Sequence, residues 1–95
     1  MKIFQMPRFK AYIKKLNRPF QQIILDAIED ICENPEIGEL KIGDLQGIRV
    51  HKFTMNRQLT LIAYKIQDDS VILFQAGTHE NFYKNLKKYL REIGE

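Results

Sequence analysis

Val71-Ile72-Leu73-Phe74-Gln75-Ala76-Gly77-Thr78-His79-Glu80-Asn81-Phe82-Tyr83 decides how this chain is read, because the character of the side chains changes in the middle of it. Val71 to Ala76 is rich in β-branched and aromatic residues, the composition of a strand. Beyond Gly77, residues Phe82, Leu86, Leu90 and Ile93 recur at helical spacing. The stretch therefore predicts a strand that hands over to a helix. Thr78 is placed to cap that helix, and Glu80 in its first turn would suit the positive end of the helix dipole. His79 and Tyr83, four apart, would then share a helical face. An imidazole can exchange protons near neutral pH, so the pair is a candidate for proton transfer. Each residue also has an ordinary use, the histidine in a local hydrogen bond and the tyrosine in packing. The residues alone leave both uses open.

Upstream, two more strands precede this one. Residues 47–54, 58–66 and 71–77 are β-rich, and Met55-Asn56-Arg57 and Gln67-Asp68-Asp69-Ser70 between them are turn-like. The economical topology is an antiparallel meander. Before it, Glu36 to Asp44 is polar and glycine-punctuated, and reads as a loop. The first half of the chain is helical. Phe20, Ile23, Ile24, Ala27, Ile28 and Ile31 give the cleanest amphipathic pattern, starting near Pro19 and ended by Asn34-Pro35. Phe9, Tyr12, Ile13 and Leu16 mark a shorter helix with Pro7 at its first position, broken by Asn17-Arg18-Pro19. Two helices joined so tightly predict an antiparallel hairpin. Residues 1–6 read as one more strand, at an edge or in the middle. The fold class is α+β, in the order β-α-α-β-β-β-α, with a mainly antiparallel sheet.

Ninety-five residues, 44% hydrophobic and 28% charged, suit a single domain spanning 1–95 with one modest core. The N-terminal stretch through Arg8 has neither the apolar run of a signal peptide nor that of a membrane span, so a cytoplasmic protein is expected. Cys32 is the only cysteine, which excludes an internal disulfide and a thiolate metal site. His51 and His79 have no paired ligand spacing, so a zinc site is not expected. Charge is unevenly distributed. Asp26, Glu29, Asp30, Glu33, Glu36 and Glu39 are six of the twelve acids, and no Lys or Arg lies between Pro19 and Leu40. The fifteen Lys and Arg residues therefore face only the other six acids. A basic surface of this kind suits a phosphate backbone or an acidic protein, although a merely solvated lysine face would look the same.

Strand alternation sorts the candidate ligands. Ile48 and Val50 share one face, while Arg49, His51 and Phe53 share the other, so Arg49 and His51 can meet one ligand. Lys52 would point with Ile48 and Val50. Arg57 falls on a hairpin tip.

With these elements in order, the chain resembles the RelE/ParE superfamily of bacterial toxins from type II toxin–antitoxin modules. The resemblance rests on the helical hairpin, on Asp44-Leu45-Gln46-Gly47-Ile48-Arg49 leading into the strands, on Leu61-Ile62-Ala63-Tyr64-Lys65-Ile66 in the middle, and on Gly77-Thr78-His79-Glu80-Asn81-Phe82-Tyr83 at the end. The last is similar to the ribonuclease branch with YafQ-like members, which place a histidine and an aromatic residue at the positions of His79 and Tyr83. The resemblance implies a metal-independent endoribonuclease that cuts mRNA, usually on the ribosome, needs no cofactor, and has a cognate antitoxin as its partner. Under it, Arg49 would clamp the phosphate and His79 would transfer protons. Tyr83 would orient the 2′-hydroxyl, stack on a base or transfer a proton. His51 would be a second proton carrier or an RNA contact, and Lys52, Arg57, Lys84, Lys87 and Lys88 would bind the RNA backbone. ParE-type members, which poison DNA gyrase without cutting nucleic acid, offer a second reading. A non-catalytic RNA- or protein-binding module is a third. The nuclease reading needs His79 and Arg49 within reach of each other across one basic hollow.

Overall fold

In the computed structural model, which describes residues 1–94, the chain runs β1 (Lys2–Gln5), α1 (Pro7–Lys14), α2 (Arg18–Glu33), β2 (Glu39–Leu40), β3 (Arg49–Met55), β4 (Gln58–Gln67), β5 (Ser70–Thr78), α3 (Phe82–Glu92). One five-stranded sheet has the spatial order β1-β5-β4-β3-β2. The α+β class and the meander of β3, β4 and β5 are as expected. β1 lies at the edge, parallel to β5. The segment 36–44 differs from its expected loop: Glu39–Leu40 forms a short edge strand against β3, and Gly43–Leu45 makes a 3-10 turn. Two paired residues give too short an alternation to be seen in sequence.

Alternation along the strands divides the interior into two layers of side chains. On one face Phe9, Ile24, Ala27, Ile28 and Ile31 of the helical hairpin pack on Met55, Ile62, Tyr64, Val71, Leu73 and Ala76. On the other, Phe82, Leu86, Tyr89 and Leu90 of α3 pack on Ile48, Val50, Leu61, Ala63 and Phe74. The sheet is thus the middle of three layers. Each wholly buried aliphatic side chain, such as Ile24, Ile31 or Leu86, stabilises this arrangement by about 1.5–3 kcal/mol in transfer terms. A register shift opposite Ala63 and Tyr64 adds a residue to β5. The bulge lets both Phe74 and Gln75 face α3. Gln75 donates to the Phe82 carbonyl (3.0 Å) and accepts from Arg8 (2.9 Å), whose guanidinium lies over the Tyr89 ring at 4.1 Å. The start of α3 is tied in this way to both β5 and α1.

Tyr64 joins the two halves of the chain. Its side chain is wholly buried, and its hydroxyl donates to the Pro35 carbonyl (2.7 Å) and accepts from the Gly38 amide (2.9 Å). Burial pushes the phenol pKa up, countered by the Gly38 hydrogen bond and the Arg49 charge. Arg49, paired with Tyr64 across the ladder, donates to the Gly38 carbonyl at 2.8 Å and more weakly to that of Glu36. A β-carbon at position 38 would stand 2.7 Å from the Tyr64 ring, so only glycine fits. Tyr64→Phe keeps the ring and strips the Pro35 and Gly38 groups of their partner. We expect it to lower the unfolding free energy by about 1–3 kcal/mol in denaturant titration, with Gly38→Ala at least as harmful; an unchanged midpoint for both would show that the connection is not held this way.

Candidate functional site

β4 decides where the end of β5 goes. It begins at Gln58, early enough to give Thr78 a ladder partner in Thr60. Thr78 is therefore a strand residue and not the helix cap that composition suggested. The chain then turns through His79 and Glu80, and Asn81 takes a left-handed conformation (φ 57°) that asparagine tolerates better than most residues. Phe82 opens α3. His79 and Tyr83 consequently do not share a helical face: the histidine is exposed in the connecting turn, and the tyrosine is on the helix. A local pattern could not foresee this, because the competing partner for Thr78 is distant in sequence.

Alternation correctly placed Arg49 and His51 on one face, but that face belongs to α2. His51 stacks on Phe53 at 5.6 Å, and burial pushes its pKa down, with Asp30 of α2 opposing. The guanidinium of Arg49 serves the carbonyls of residues 36 and 38. Phe53 is level with Thr60 and so with Thr78, whereas Arg49 is level with Tyr64. At standard strand dimensions the backbone of Arg49 is then about 13 Å along and about 10 Å across the sheet from the end of β5. The hollow expected between Arg49 and His79 is not formed, so the nuclease reading in that form is lost, and any such activity needs a phosphate-binding cation other than Arg49.

A different group converges on the α3 side. Lys52 follows Val50 on that face, as predicted. Glu39 pairs with Val50, and Lys41 is held level with Ile48 by its amide, which donates to the Ile48 carbonyl at 2.8 Å. Glu39 thus stands between Lys41, its ion-pair partner, and Lys52, and both lower its carboxyl pKa, Lys41 the more. Glu39 and Tyr83 raise that of Lys41. The Lys41 ammonium is 5.1 Å from the centre of the Tyr83 ring. The Tyr83 hydroxyl is buried and makes no hydrogen bond of good geometry among the described residues, its polar neighbour being the Lys41 ammonium, so a ligand or water that completes it would be favoured. One turn on, Lys87 lies 3.9 Å from Asp44. Lys84 and Lys88 are exposed on a separate stripe of α3, and Arg57 is exposed at the hairpin tip with a positive φ of 62°. Sequence reading missed Lys41 and Glu39 because their segment looked like a loop.

The floor of this region is open toward the β3–β4 turn. Gly77 is level with Leu61 and Lys52, and a β-carbon there would meet nothing within 4 Å. In the next row Thr54 and Leu59 are exposed, and the exposed His79 follows directly on Thr78, where the ladder ends. The α3 side carries cations and a buried phenol, with the exposed His79 and Leu59 and the open position at Gly77 farther along the same sheet. It can take an anionic chain and move a proton.

Residues 3–87 match the family model of the ParE-like toxin of type II bacterial toxin–antitoxin systems. No curated protein sequence matches. Among solved structures, a free doubly arginine-substituted E. coli RelE is similar with a TM-score of 0.70 and 13% identity, over 97% of this chain and 95% of that one. The toxin in the intact E. coli RelBE toxin–antitoxin complex gives 0.65 and 15%, over 81% and 94%. Isolated E. coli RelE gives 0.64 and 15%, over 92% and 96%. These likenesses establish a shared fold.

The half-buried His51 yields a pH prediction. The folded pKa of His51 lies below the ordinary 6.5, so the unfolded chain binds the proton more readily and stability falls as pH drops below about that value. Replacing it in His51→Gln should flatten the fall in thermal midpoint between neutral and mildly acidic pH; an identical pH profile would contradict the assignment.

Proposed function

We propose that this chain, which belongs to the ParE-like toxins of type II bacterial toxin–antitoxin systems, is an endoribonuclease that cuts messenger RNA on the α3 side of its sheet. The observation that carries this reading is the buried Tyr83 hydroxyl, short of a well-formed hydrogen bond, beside the Lys41 ammonium on the face that also carries Lys52 and Gly77. A toxin acting only by protein contact has no need of such a group.

The reaction is attack of a 2′-hydroxyl oxygen on the adjacent phosphorus. The bond to the 5′-oxygen breaks, leaving a cyclic 2′,3′-phosphate and a 5′-hydroxyl. A base must take the 2′ proton, an acid must protonate the leaving oxygen, and cations must hold the charge that builds on the phosphoryl oxygens. No metal is required. Lys52 is assigned to the phosphoryl charge. His79 and Tyr83 share proton transfer and positioning of the 2′-hydroxyl, the phenol binding a group that restores its missing hydrogen bond. Lys87 lies on the same side as Tyr83. Arg57, Lys84 and Lys88 are assigned to more distant backbone contacts, including those to the ribosome, where phosphate density favours a basic protein. Arg49 and His51 receive no part, since the first holds the α2–β2 connection and the second is half-buried on the α2 side, stacked on Phe53.

The partner in this reading is an antitoxin, as RelE has in the RelBE complex. An extended acidic segment that folds as it binds would cover the cationic face.

Expression of the protein should produce message ends within translated codons, and His79→Ala, Tyr83→Phe or Lys52→Ala should each reduce them about 10²-fold while the fold is kept. Arg49→Lys and His51→Gln should cleave normally once corrected for stability. Gyrase-dependent DNA breaks without RNA ends would instead select the ParE-type reading. Full cleavage by all three variants would refute the site.

A further inference from the structure

Glu39 is an odd neighbour for a surface that takes RNA. It projects from the edge strand onto the α3 face, opposite Val50 and diagonal to Lys52, and its carboxylate is paired with Lys41. Its side chain is 67% exposed, against 19% for Lys41. The two members of the pair are therefore held very differently. Lys41 is fixed by its backbone bond to Ile48 and by the Tyr83 ring beneath its ammonium. Glu39 is fixed by little except the lysine. An exposed ion pair of this kind adds little to stability, because water solvates both charges well when they part. A second anion arriving from solvent can take the carboxylate's place at small cost.

We propose that Lys41 is a further phosphate contact of the RNA surface and that Glu39 is the internal anion which holds its position until the chain arrives. The inference rests on the RNA-directed reading of the same surface and adds to it a residue and a mode of control. The carboxylate sits between two cations, Lys41 and Lys52, which is where a backbone phosphate would be best neutralised. Before binding it keeps two lysines from repelling each other beside an apolar ring. On binding it must swing out toward water, which its exposure permits. The swap makes the surface selective: a weakly anionic ligand does not displace the carboxylate, while a polyanion does.

The exchange has a signature in salt dependence. A phosphate that takes Lys41 releases the cation condensed on it, but the freed Glu39 carboxylate draws a cation from solution in exchange, so Lys41 adds little to the salt slope. Without the carboxylate it adds about 0.7 to the slope of log affinity against log salt on a single strand. The probe is a fluorescent 2′-O-methyl oligoribonucleotide, which binds but cannot be cut, titrated into the full chain at several salt concentrations. Glu39→Gln keeps the backbone pairing with Val50 and should tighten binding roughly three- to tenfold at low salt, with the slope steeper by about 0.7. The double change Glu39→Gln with Lys41→Gln should return both to the parental values. Equal thermal midpoints establish that the fold is unaltered. If the parent binds the oligoribonucleotide and Glu39→Gln leaves affinity and slope unchanged, the exchange is refuted and the RNA-directed reading stands. If the parent does not bind it at any salt, both fall. If Glu39→Gln binds as the parent does but no longer cleaves a 2′-hydroxyl substrate, Glu39 is a general base and the placeholder role is overturned.

Discussion

The hydroxyl of Tyr64 is the constraint on which the geometry of the rest depends. From the middle of the central strand it bridges the Pro35 carbonyl and the Gly38 amide, and so fixes how the chain leaves α2 and meets the sheet again. Arg49 locks the same connection through Gly38. With that turn set, Glu39 falls opposite Val50, Lys41 falls level with Ile48, and both project beside Tyr83. One buried phenol on the α2 side thereby places a pair of charges on the α3 side. The coupling passes through the short edge strand, whose two residues belong to both faces.

The division of labour between the faces follows from this. The α2 face is occupied by packing and by hydrogen bonds that serve the backbone, and its polar members His51 and Arg49 are spent there. The α3 face is incompletely covered, because α3 starts only at Phe82 and leaves space above Gly77 and the side chain of Leu59 exposed. Cations therefore gather where the sheet is bare. A lysine such as Lys52 can remain hydrated there with its stem against the sheet, which would be prohibitive beneath a helix.

Most of the architecture was legible in the sequence. The helical hairpin followed from the apolar stripes and the two prolines that start its helices, and the meander from β-rich runs separated by turn residues. Both signals are local, and tertiary contacts reinforced them. The site was only partly legible. Lys52 was placed with Ile48 and Val50 by strand periodicity, which the structure keeps, but nothing in the sequence put Tyr83 on that side of the sheet. The helix start was misplaced because Thr78 has two physically reasonable fates, capping a helix or extending a ladder, and the choice is made by Thr60. The role of Arg49 was misread for a similar reason: its partners are the backbone carbonyls of a segment whose strand is too short to show periodicity. Face assignment by alternation was right for both Arg49 and His51. What alternation cannot tell is which face carries the open surface, since that depends on where α3 starts and which side of the sheet it covers.

Mapping where RNA touches the protein tests the central claim most directly. Backbone amide shifts should be followed by NMR as an uncleavable 2′-O-methyl oligoribonucleotide is added. The account predicts that Lys41, Lys52, Gly77, His79 and Tyr83 respond in a saturable manner while His51, Asp30 and the exposed side of α2 do not. Perturbations centred on Arg49, His51 and α2, with the α3 side silent, would contradict it.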